Sequence, residues 1–564
     1  MGTKIVVIGG VAAGPKAAAR ARRLDPQAEI TLIEKDDLLS YAGCGLPYYV
    51  GGAVSERKQL LSTPAGVERD VGFFAKVKNI KVLNGTVAVG IDRQARQVEI
   101  QAKSGGEVQR LPYDKLILAT GAETTEPPIP GKDLANVLRL KKVEDADHFR
   151  AYLEAHPGIQ LVIVGGGLIG LEMAEAARER GCQVTVVEML PHVAPMLDAD
   201  MAVLVEKHLR EKGVQLVTGA RVERFEGDAQ GQLTGVVTSS GTLPAGAALL
   251  AVGMKPNVEL AKKAGLLLGA SGGIAVNQYM QTSDPNIYAA GDCTEKNCVV
   301  RGTGCFLPLG SVANKEGRVA GSNAVGHASR FPGVAGATAL KVFDWNVGRA
   351  GLSVEQARGL GIDTMSLTVV SSDRPHYYPG NKPVILKLIA DKANRRLIGI
   401  QAVGPGEAIK RVDVAITAMT ARMSVEEVAE LDLAYAPPYS EAMDVLLTCA
   451  NALSNKLDGL FKSVGALELK AEMDAGRAPF LLDVRTPAEC ANGCLPGAAW
   501  IPLGALRTRA AEVPRDGRVV IYCKTSLRAW EAVRILAGLG YQNVELLEGG
   551  VAAWPFELGP APAK

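Results

Sequence analysis

Two stretches of this chain, 156 residues apart, repeat a local pattern that few folds can accommodate. An apolar run breaks into closely spaced glycines, a helix-forming segment follows, and a second apolar run ends in glutamate. The first copy is Lys4-Ile-Val-Val-Ile8, Gly9-Gly10-Val11-Ala12-Ala13-Gly14, an alanine-rich segment and Glu29-Ile-Thr-Leu-Ile-Glu34. The second is Leu161-Val-Ile-Val164, Gly165-Gly-Gly167-Leu-Ile-Gly170 and Gln183-Val-Thr-Val-Val-Glu188. A continuous apolar run is what a strand covered on both faces of a parallel sheet requires. Glycines at its end permit a tight turn and bring backbone and helix N-terminus close to a pyrophosphate. The acid, 25 residues past the first glycine in one copy and 23 in the other, stands where a ribose hydroxyl would be held. Val11 replaces the middle glycine of the first motif, whereas the second motif is complete. Glu188 would repel a 2′-phosphate, and no arginine follows immediately, so NADH is favoured over NADPH. Two such units imply two dinucleotides, most economically a hydride carrier and a second redox ring. The alternative is a duplication that kept one working site.

Between the two copies lies Ser40-Tyr-Ala-Gly-Cys44-Gly-Leu-Pro47, a lone cysteine in a glycine-flanked loop rather than on a periodic apolar face. Glycines let a ligand approach such a loop closely, and a chain turning into a helix can direct amides at a sulfur. Lys16, Arg20 and Arg23, with Arg22 beside them, make one face of the first helix basic. Such faces are more often simply solvated. The other reading is a phosphate-rich substrate lying over the helix and ending at the thiol.

At 564 residues the chain exceeds a single core and divides into three or four domains. Charged residues are 22% and the net charge is +2, which gives no reason to expect nucleic acid or membrane partners. No apolar run reaches transmembrane length, and the N-terminus reads as a strand rather than a signal peptide. Nine cysteines without repeating spacing fit a reducing cytoplasm better than a disulfide framework, and no Cys/His spacing suggests a metal. Further along, Leu116-Ile-Leu-Ala-Thr120-Gly121 closes a run of short strands, and Pro127–Gly131 reads as a crossover. Gly291-Asp292 ends another strand, and Leu309–Arg318 opens a helix. From about 335 to 455 the pattern is α+β, with strands such as Pro383–Ile389 and Leu397–Val403 and two helices. Residues 451–463 resemble a linker. A last domain carries the strand Arg518–Tyr522, the loop Cys523-Lys-Thr-Ser-Leu-Arg528 and a helix.

In order, the Gly9–Gly14 turn with Glu34, Thr120-Gly121, the Gly165–Gly170 turn with Glu188, Gly291-Asp292 and the helix start at Ser311–Arg318 resemble the pyridine-nucleotide disulfide oxidoreductases. The resemblance implies two Rossmann-like, glutathione-reductase-like domains: an FAD-binding domain over 1–120 and 253–330 and an NAD(H)-binding domain over 121–252. An α+β dimerisation domain over 331–455 follows. FAD would lie on Gly9, Gly10, Gly14, Glu34, Thr120 and Gly121, with Gly291 and Asp292 at its ribityl chain and Ser311 and Ala313 near the flavin. NADH, with NADPH left open, would lie on Gly165, Gly167, Gly170 and Glu188. Glutathione-reductase-like members carry two closely spaced active cysteines, but the next one after Cys44 is Cys182. A single-cysteine loop is similar to that of NADH oxidases, peroxidases and coenzyme A-disulfide reductases. The oxidases and peroxidases have Asn and His where this chain has Val11 and Ala12, which removes the acid–base partner of oxygen or peroxide chemistry. The glycine turn instead resembles coenzyme A-disulfide and persulfide reductases. Tyr377 and Tyr435 match that group's paired tyrosines, which reach the partner subunit's cysteine; otherwise they would read as interface aromatics. Lys16, Arg20, Arg23 and Ser40 fall where the group binds coenzyme A. The family usually has different polar residues at the first two of these positions, and Gly43 replaces an asparagine found in some members.

The last domain, 465–564, resembles a rhodanese: Leu482-Asp483-Val-Arg485-Thr-Pro487-Ala-Glu489 and Leu547-Glu-Gly549-Gly550-Val-Ala-Ala-Trp554 flank the Cys523 loop. Loop amides can cradle a persulfide on Cys523, with Arg528 closing the loop. A cysteine phosphatase would need one more residue between Cys and Arg. Gly493-Cys494-Leu495 departs from the usual Gly-His-Ile, and Cys490 and Cys494 read as buried filler. The whole implies a homodimeric, cytoplasmic, FAD-dependent NADH oxidoreductase. It would reduce coenzyme A persulfide, polysulfide or coenzyme A disulfide through Cys44, with Cys523 carrying sulfane sulfur. A sulfurtransferase whose flavin half recycles thiols, and an NADH oxidase, are the alternatives.

Overall fold

The computed structural model describes residues 2–561. It forms two compact units, one built from the chain up to Pro191 and Val214–Val334, the other from His192–Gly213 and Ala335 onward.

The first unit shows the duplication directly. Its first sheet runs Ile287–Ala289, Lys115–Leu118, Lys4–Ile8, Glu29–Ile33 and Lys81–Leu83, all parallel. The second runs Gln215–Thr218, Gln183–Glu188, Gln160–Val164, Ala247–Leu250 and Val137–Leu138, again all parallel. In each, the strand before the glycines is central and the acid-bearing strand pairs beside it. A three-stranded antiparallel ribbon is inserted before the strand on its other side: Thr86–Asp92, Gln97–Ala102 and Gln109–Pro112 in one, Val222–Gly227, Leu233–Thr238 and Gly241–Pro244 in the other. The central strands are continuous apolar runs because both faces are covered; Ile5, Val7, Leu161 and Ile163 are fully buried. Each such side chain contributes about 1.5–3 kcal/mol. The helix Ala13–Leu24 buries Ala13, Ala17, Ala18 and Ala21 in one cluster with Val312, Ala313 and Ala320 of Gly310–Ala324. Small residues on both helices permit this close approach.

In the second unit an antiparallel sheet runs Thr338–Val342, Trp345–Gly351, Leu397–Gly404, Pro383–Asp391 and Thr364–Ser372. Among the described residues 335–457 there are four helices, Val354–Gly359, Ile409–Thr420, Val425–Ala429 and Val445–Leu457, rather than the two expected. The first and third are short and capped by Ser353 and Ser424, too brief to show periodicity. The expected linker is also shorter: residues 451–457 finish the helix Val445–Leu457, which buries Leu446, Leu447, Ala450 and Leu453. Polar residues on its outer face hid that stripe. A parallel sheet then runs Lys462–Val464, Val544–Leu547, Val519–Tyr522, Phe480–Asp483 and Ala499–Trp500. Glu548 ties this sheet to the preceding domain: it accepts from Lys456 Nζ (2.7 Å), Ser463 Oγ (2.7 Å) and the Thr368 amide (3.0 Å). Burial pushes the Glu548 carboxyl up, but these partners outweigh it and hold the carboxyl below its usual range. No helix of the described residues is long and apolar enough to cross a membrane.

Candidate active sites

The two glycine turns are built alike. Gly9 and Gly165 have φ of +112° and +109°, and their amides donate to Ile33 and Val187 carbonyls at 2.8 Å. A Cβ on Gly14 would stand 1.8 Å from the Gly9 oxygen, and one on Gly170 would stand 1.9 Å from the Gly165 oxygen. Any side chain there would force helix and strand apart. Glu34 accepts from the amides of Gly10 (2.6 Å) and Asp36 (3.0 Å), and Glu188 from those of Gly166 (2.7 Å) and Leu190 (2.8 Å). The acids therefore brace the turns.

Gly291, with φ +86°, presents Asp292 next to a buried polar knot that the sequence reading missed. Glu316 Oε2 accepts from the Gly291 amide (2.8 Å), Thr294 Oγ1 (3.1 Å) and Lys296 Nζ (3.0 Å). Burial pushes the Asp292 carboxyl up, against the pull of Lys141 and Lys296. Its Oδ1 is buried without a protein partner, and an unmet acceptor costs about 1–3 kcal/mol. A polyhydroxylated ligand such as the ribityl chain of FAD fits this acceptor. Thr120 Oγ1 donates to the Asn257 carbonyl (2.7 Å) and Gly121 turns with φ +71°. Ser311 is exposed and Ala313 buried at the start of helix Gly310–Ala324.

Cys44 is exposed in the short turn Gly43–Gly45, directly before the helix Leu46–Gly51. A Cβ on Gly310 would lie 3.6 Å from its sulfur, so the thiol stands at the N-terminus of a 15-residue helix. Unpaired amides there favour negative charge. The loop is fastened to the first glycine turn: Ser40, at φ 48°, donates its amide to the Gly10 carbonyl at 2.8 Å. Tyr48, four residues past the thiol, donates to Glu172 Oε1 at 3.4 Å. Burial pushes the Glu172 carboxyl up to about 7, and burial together with Glu172 pushes Tyr48 up to about 12. On the basic helix face Lys16 and Arg20 are half-buried and Arg23 exposed. Arg20 donates to Ser322 Oγ (2.9 Å), and its pKa is lowered by desolvation and by the neighbouring cations Arg318 and Arg23. Such a cluster of like charge suits a polyanion. Arg22 is instead spent on the Asn79 and Pro26 carbonyls. In the second unit Tyr377 and Tyr435 are 64% and 49% exposed, and the neighbouring Tyr435 pushes the Tyr377 hydroxyl up.

The Cys523 loop joins strand Val519–Tyr522 to helix Leu527–Gly538. The Cys523 thiol accepts from the Ser526 amide at 3.2 Å, and Ser526 has φ 87°. Gly550 backs the loop so closely that a Cβ would meet the Cys523 oxygen at 2.5 Å. Arg528 grips Glu489 with two bonds of 2.7 Å, and this holds the Glu489 carboxyl down to about 2. Glu489→Gln is expected to slow sulfur transfer at Cys523 by between roughly tenfold and a hundredfold, the cost of a small misplacement. Cyanide-acceptor assays beside unchanged NADH reduction of the flavin check this. Cys490 and Cys494 are buried as expected.

Three family profiles match in succession: pyridine nucleotide-disulphide oxidoreductase over residues 3–317, its dimerisation domain over 337–446 and a rhodanese-like domain over 465–556. An NAD(P)H sulfur oxidoreductase (CoA-dependent) of Pyrococcus abyssi is 38% identical over 80% of this chain and 98% of its own. A structure of an NAD-dependent persulfide reductase from A. fulgidus is 45% identical, covers 98% of this chain and 100% of its own, and has a TM-score of 0.93. Reduced CoADR-RHD of Bacillus anthracis is 37% identical over 98% of both chains, with a TM-score of 0.91. Two glycine turns braced by acids, an orphan acceptor at Gly291-Asp292 and a solitary thiol at a helix N-terminus thus accompany sequence similarity along nearly the whole chain, which belongs to the pyridine nucleotide-disulphide oxidoreductase family and carries a C-terminal rhodanese-like domain.

Proposed function

We propose that this chain is a homodimeric NADH-dependent reductase of sulfur–sulfur bonds carried on coenzyme A, working in a reducing cytoplasm. The observation that carries the reading is Cys44, exposed at a helix N-terminus, with no second cysteine in its loop. A thiol so placed takes its disulfide partner from the substrate. The relatives, a persulfide reductase and a CoA-dependent sulfur oxidoreductase, agree with this. FAD and NAD(P)H are the cofactors, held by the first and second glycine turns within the domains 1–120 with 253–330 and 121–252. FAD supplies a two-electron relay between the nicotinamide and sulfur.

The chain's own residues do the rest. Lys16, Arg20, Arg23 and Ser40 hold the substrate's phosphates, so the pantetheine sulfur ends at Cys44. The Cys44 thiolate attacks it and forms a mixed disulfide or persulfide. The leaving sulfur takes a proton or hydrogen bond from Tyr377 and Tyr435 of the partner subunit, presented by the dimerisation domain, 331–455. Cys523 in the 465–564 domain accepts sulfane sulfur, with Arg528 closing its loop, and passes it to coenzyme A.

Cys523→Ser is expected to spare NADH-driven reduction of coenzyme A disulfide. Turnover with polysulfide should fall about 10²-fold, the lower end of what tethering two reactions in one chain confers. Steady-state rates with both substrates check this; equal loss on both would overturn the division of labour, and steady oxygen consumption without added thiol would favour an oxidase.

A further inference from the structure

The last domain buries two thiols that this chemistry leaves unused. Cys490 and Cys494 are 4% and 1% exposed, and their sulfurs lie 2.7 Å apart. That separation falls between a covalent sulfur–sulfur bond of about 2.05 Å and the distance of separate thiols. The backbone presets it. Cys490 ends the helix Pro487–Cys490, capped by Thr486. Cys494 is pinned by Gly559, its amide donating to that carbonyl at 3.0 Å and its carbonyl accepting at 2.8 Å.

Asp483 brings a third possible metal ligand within 4.8 Å. Its carboxylate is already taken by Arg485, through Nε (2.9 Å) and Nη2 (2.6 Å), and Nη2 also donates to the Cys494 sulfur at 3.4 Å. A guanidinium standing in the coordination space opposes a cation, and three ligands leave a tetrahedral structural site incomplete. Two adjacent sulfurs that cannot share a metal retain thiol–disulfide chemistry. Their burial admits only a small oxidant.

We propose that Cys490 and Cys494 are a second redox site, a dithiol that hydrogen persulfide or short inorganic polysulfides oxidise to an intradomain disulfide. The Cys490 sulfur, the more accessible, attacks one sulfur of HS–SH, breaks its sulfur–sulfur bond and becomes a persulfide while one sulfide leaves. Cys494 then attacks the Cys490 sulfur and expels the outer sulfur as a second sulfide. Two cysteine S–H bonds are oxidised, one sulfur–sulfur bond of the oxidant is reduced, and both protons leave with the two sulfides. Burial, then Cys490 and Asp483, push the Cys494 thiol up to about 12, so reduced Cys494 rests as a neutral thiol beside Asp483. Residues beside the couple reach the Cys523 loop and the strand before it. Glu489, next to Cys490, holds Arg528, and the Leu495 amide, next to Cys494, donates to the Tyr522 hydroxyl at 3.1 Å.

The test uses the full-length flavoenzyme, exposed to inorganic polysulfide or to dithiothreitol, denatured in iodoacetamide and mapped by peptide mass. After polysulfide, the tryptic peptide of residues 486–507 should be lighter by two hydrogens with neither cysteine alkylated; after dithiothreitol both should be alkylated. Cys490→Ser should abolish the cross-link, leaving Cys494 alkylated, while NADH-driven reduction of coenzyme A disulfide shows that the variant is folded. Full alkylation of both thiols after polysulfide would overturn the proposal. So would stoichiometric zinc that shields them until a chelator is added.

Discussion

Cys44→Ser is expected to abolish NADH-driven turnover of coenzyme A disulfide, coenzyme A persulfide and polysulfide alike, by at least about 10³-fold. A serine hydroxyl is a weak nucleophile at neutral pH and forms no sulfur–sulfur bond with the substrate. Flavin content and reduction of the flavin by NADH should survive, because the glycine turns, Asp292 and the Lys296–Glu316 knot contain none of the Cys44 side chain. Rapid-mixing absorbance of the flavin therefore separates the two halves of the reaction. Its bleaching by NADH should match the wild type, and its return on adding a sulfur substrate should vanish. Residual sulfur-dependent turnover within tenfold of the wild type would sink the assignment of Cys44 as nucleophile.

Lys296→Met should be the most damaging change away from the thiols. Lys296 and Glu316 are each 1% exposed and ion-paired at 3.0 Å, and Lys296 also donates to the Gly291 carbonyl at 2.5 Å. Removing one partner of a buried pair costs about 3–5 kcal/mol, because the other charge stays buried without compensation. Methionine keeps most of the volume, so the loss is electrostatic and falls on the turn that presents Asp292. Flavin retention should drop with stability. The pH dependence follows from Glu316, whose carboxyl burial already raises above its usual value. The folded state holds that proton more tightly than the unfolded chain, so this group's contribution is most favourable at low pH. It declines as pH rises through the raised value. Without the ammonium the value rises further, so the variant's deficit should be smaller near about pH 5 than near about pH 8. Thermal unfolding at the two pH values checks this. Adding Glu316→Gln should recover much of the loss, since replacing both members of a buried pair is often nearly neutral. A single-variant loss below about 1 kcal/mol would refute the argument.

Several features missed in the sequence share one property: their partners are far apart along the chain. Glu489 and Arg528 meet across 39 residues, and Lys296 meets Glu316 across 20. Tyr377 and Tyr435 were matched individually, but their closeness, 58 residues apart in sequence, belongs to the folded surface. Residues 451–457 passed for a linker because their outward Asn, Ser and Lys are legible locally, while the sheet that buries Leu453 is not.

What the amino-acid order determined alone was the pair of dinucleotide units. Apolar runs, glycine turns and terminal acids act within about 25 residues, and their requirements on backbone and burial are local. The Cys44 and Cys523 loops were legible for the same reason. Only the tertiary structure decided what surrounds those sulfurs. Helix Gly310–Ala324 begins 266 residues after Cys44, and its packing against helix Ala13–Leu24 accompanies the placement of its first residue beside the thiol. Cys490 and Cys494 looked like filler at any spacing until the Gly559 bridge and the end of a four-residue helix set their sulfurs side by side. Distances between side chains come from packing, which sums contacts over the whole domain, and no local pattern encodes that sum.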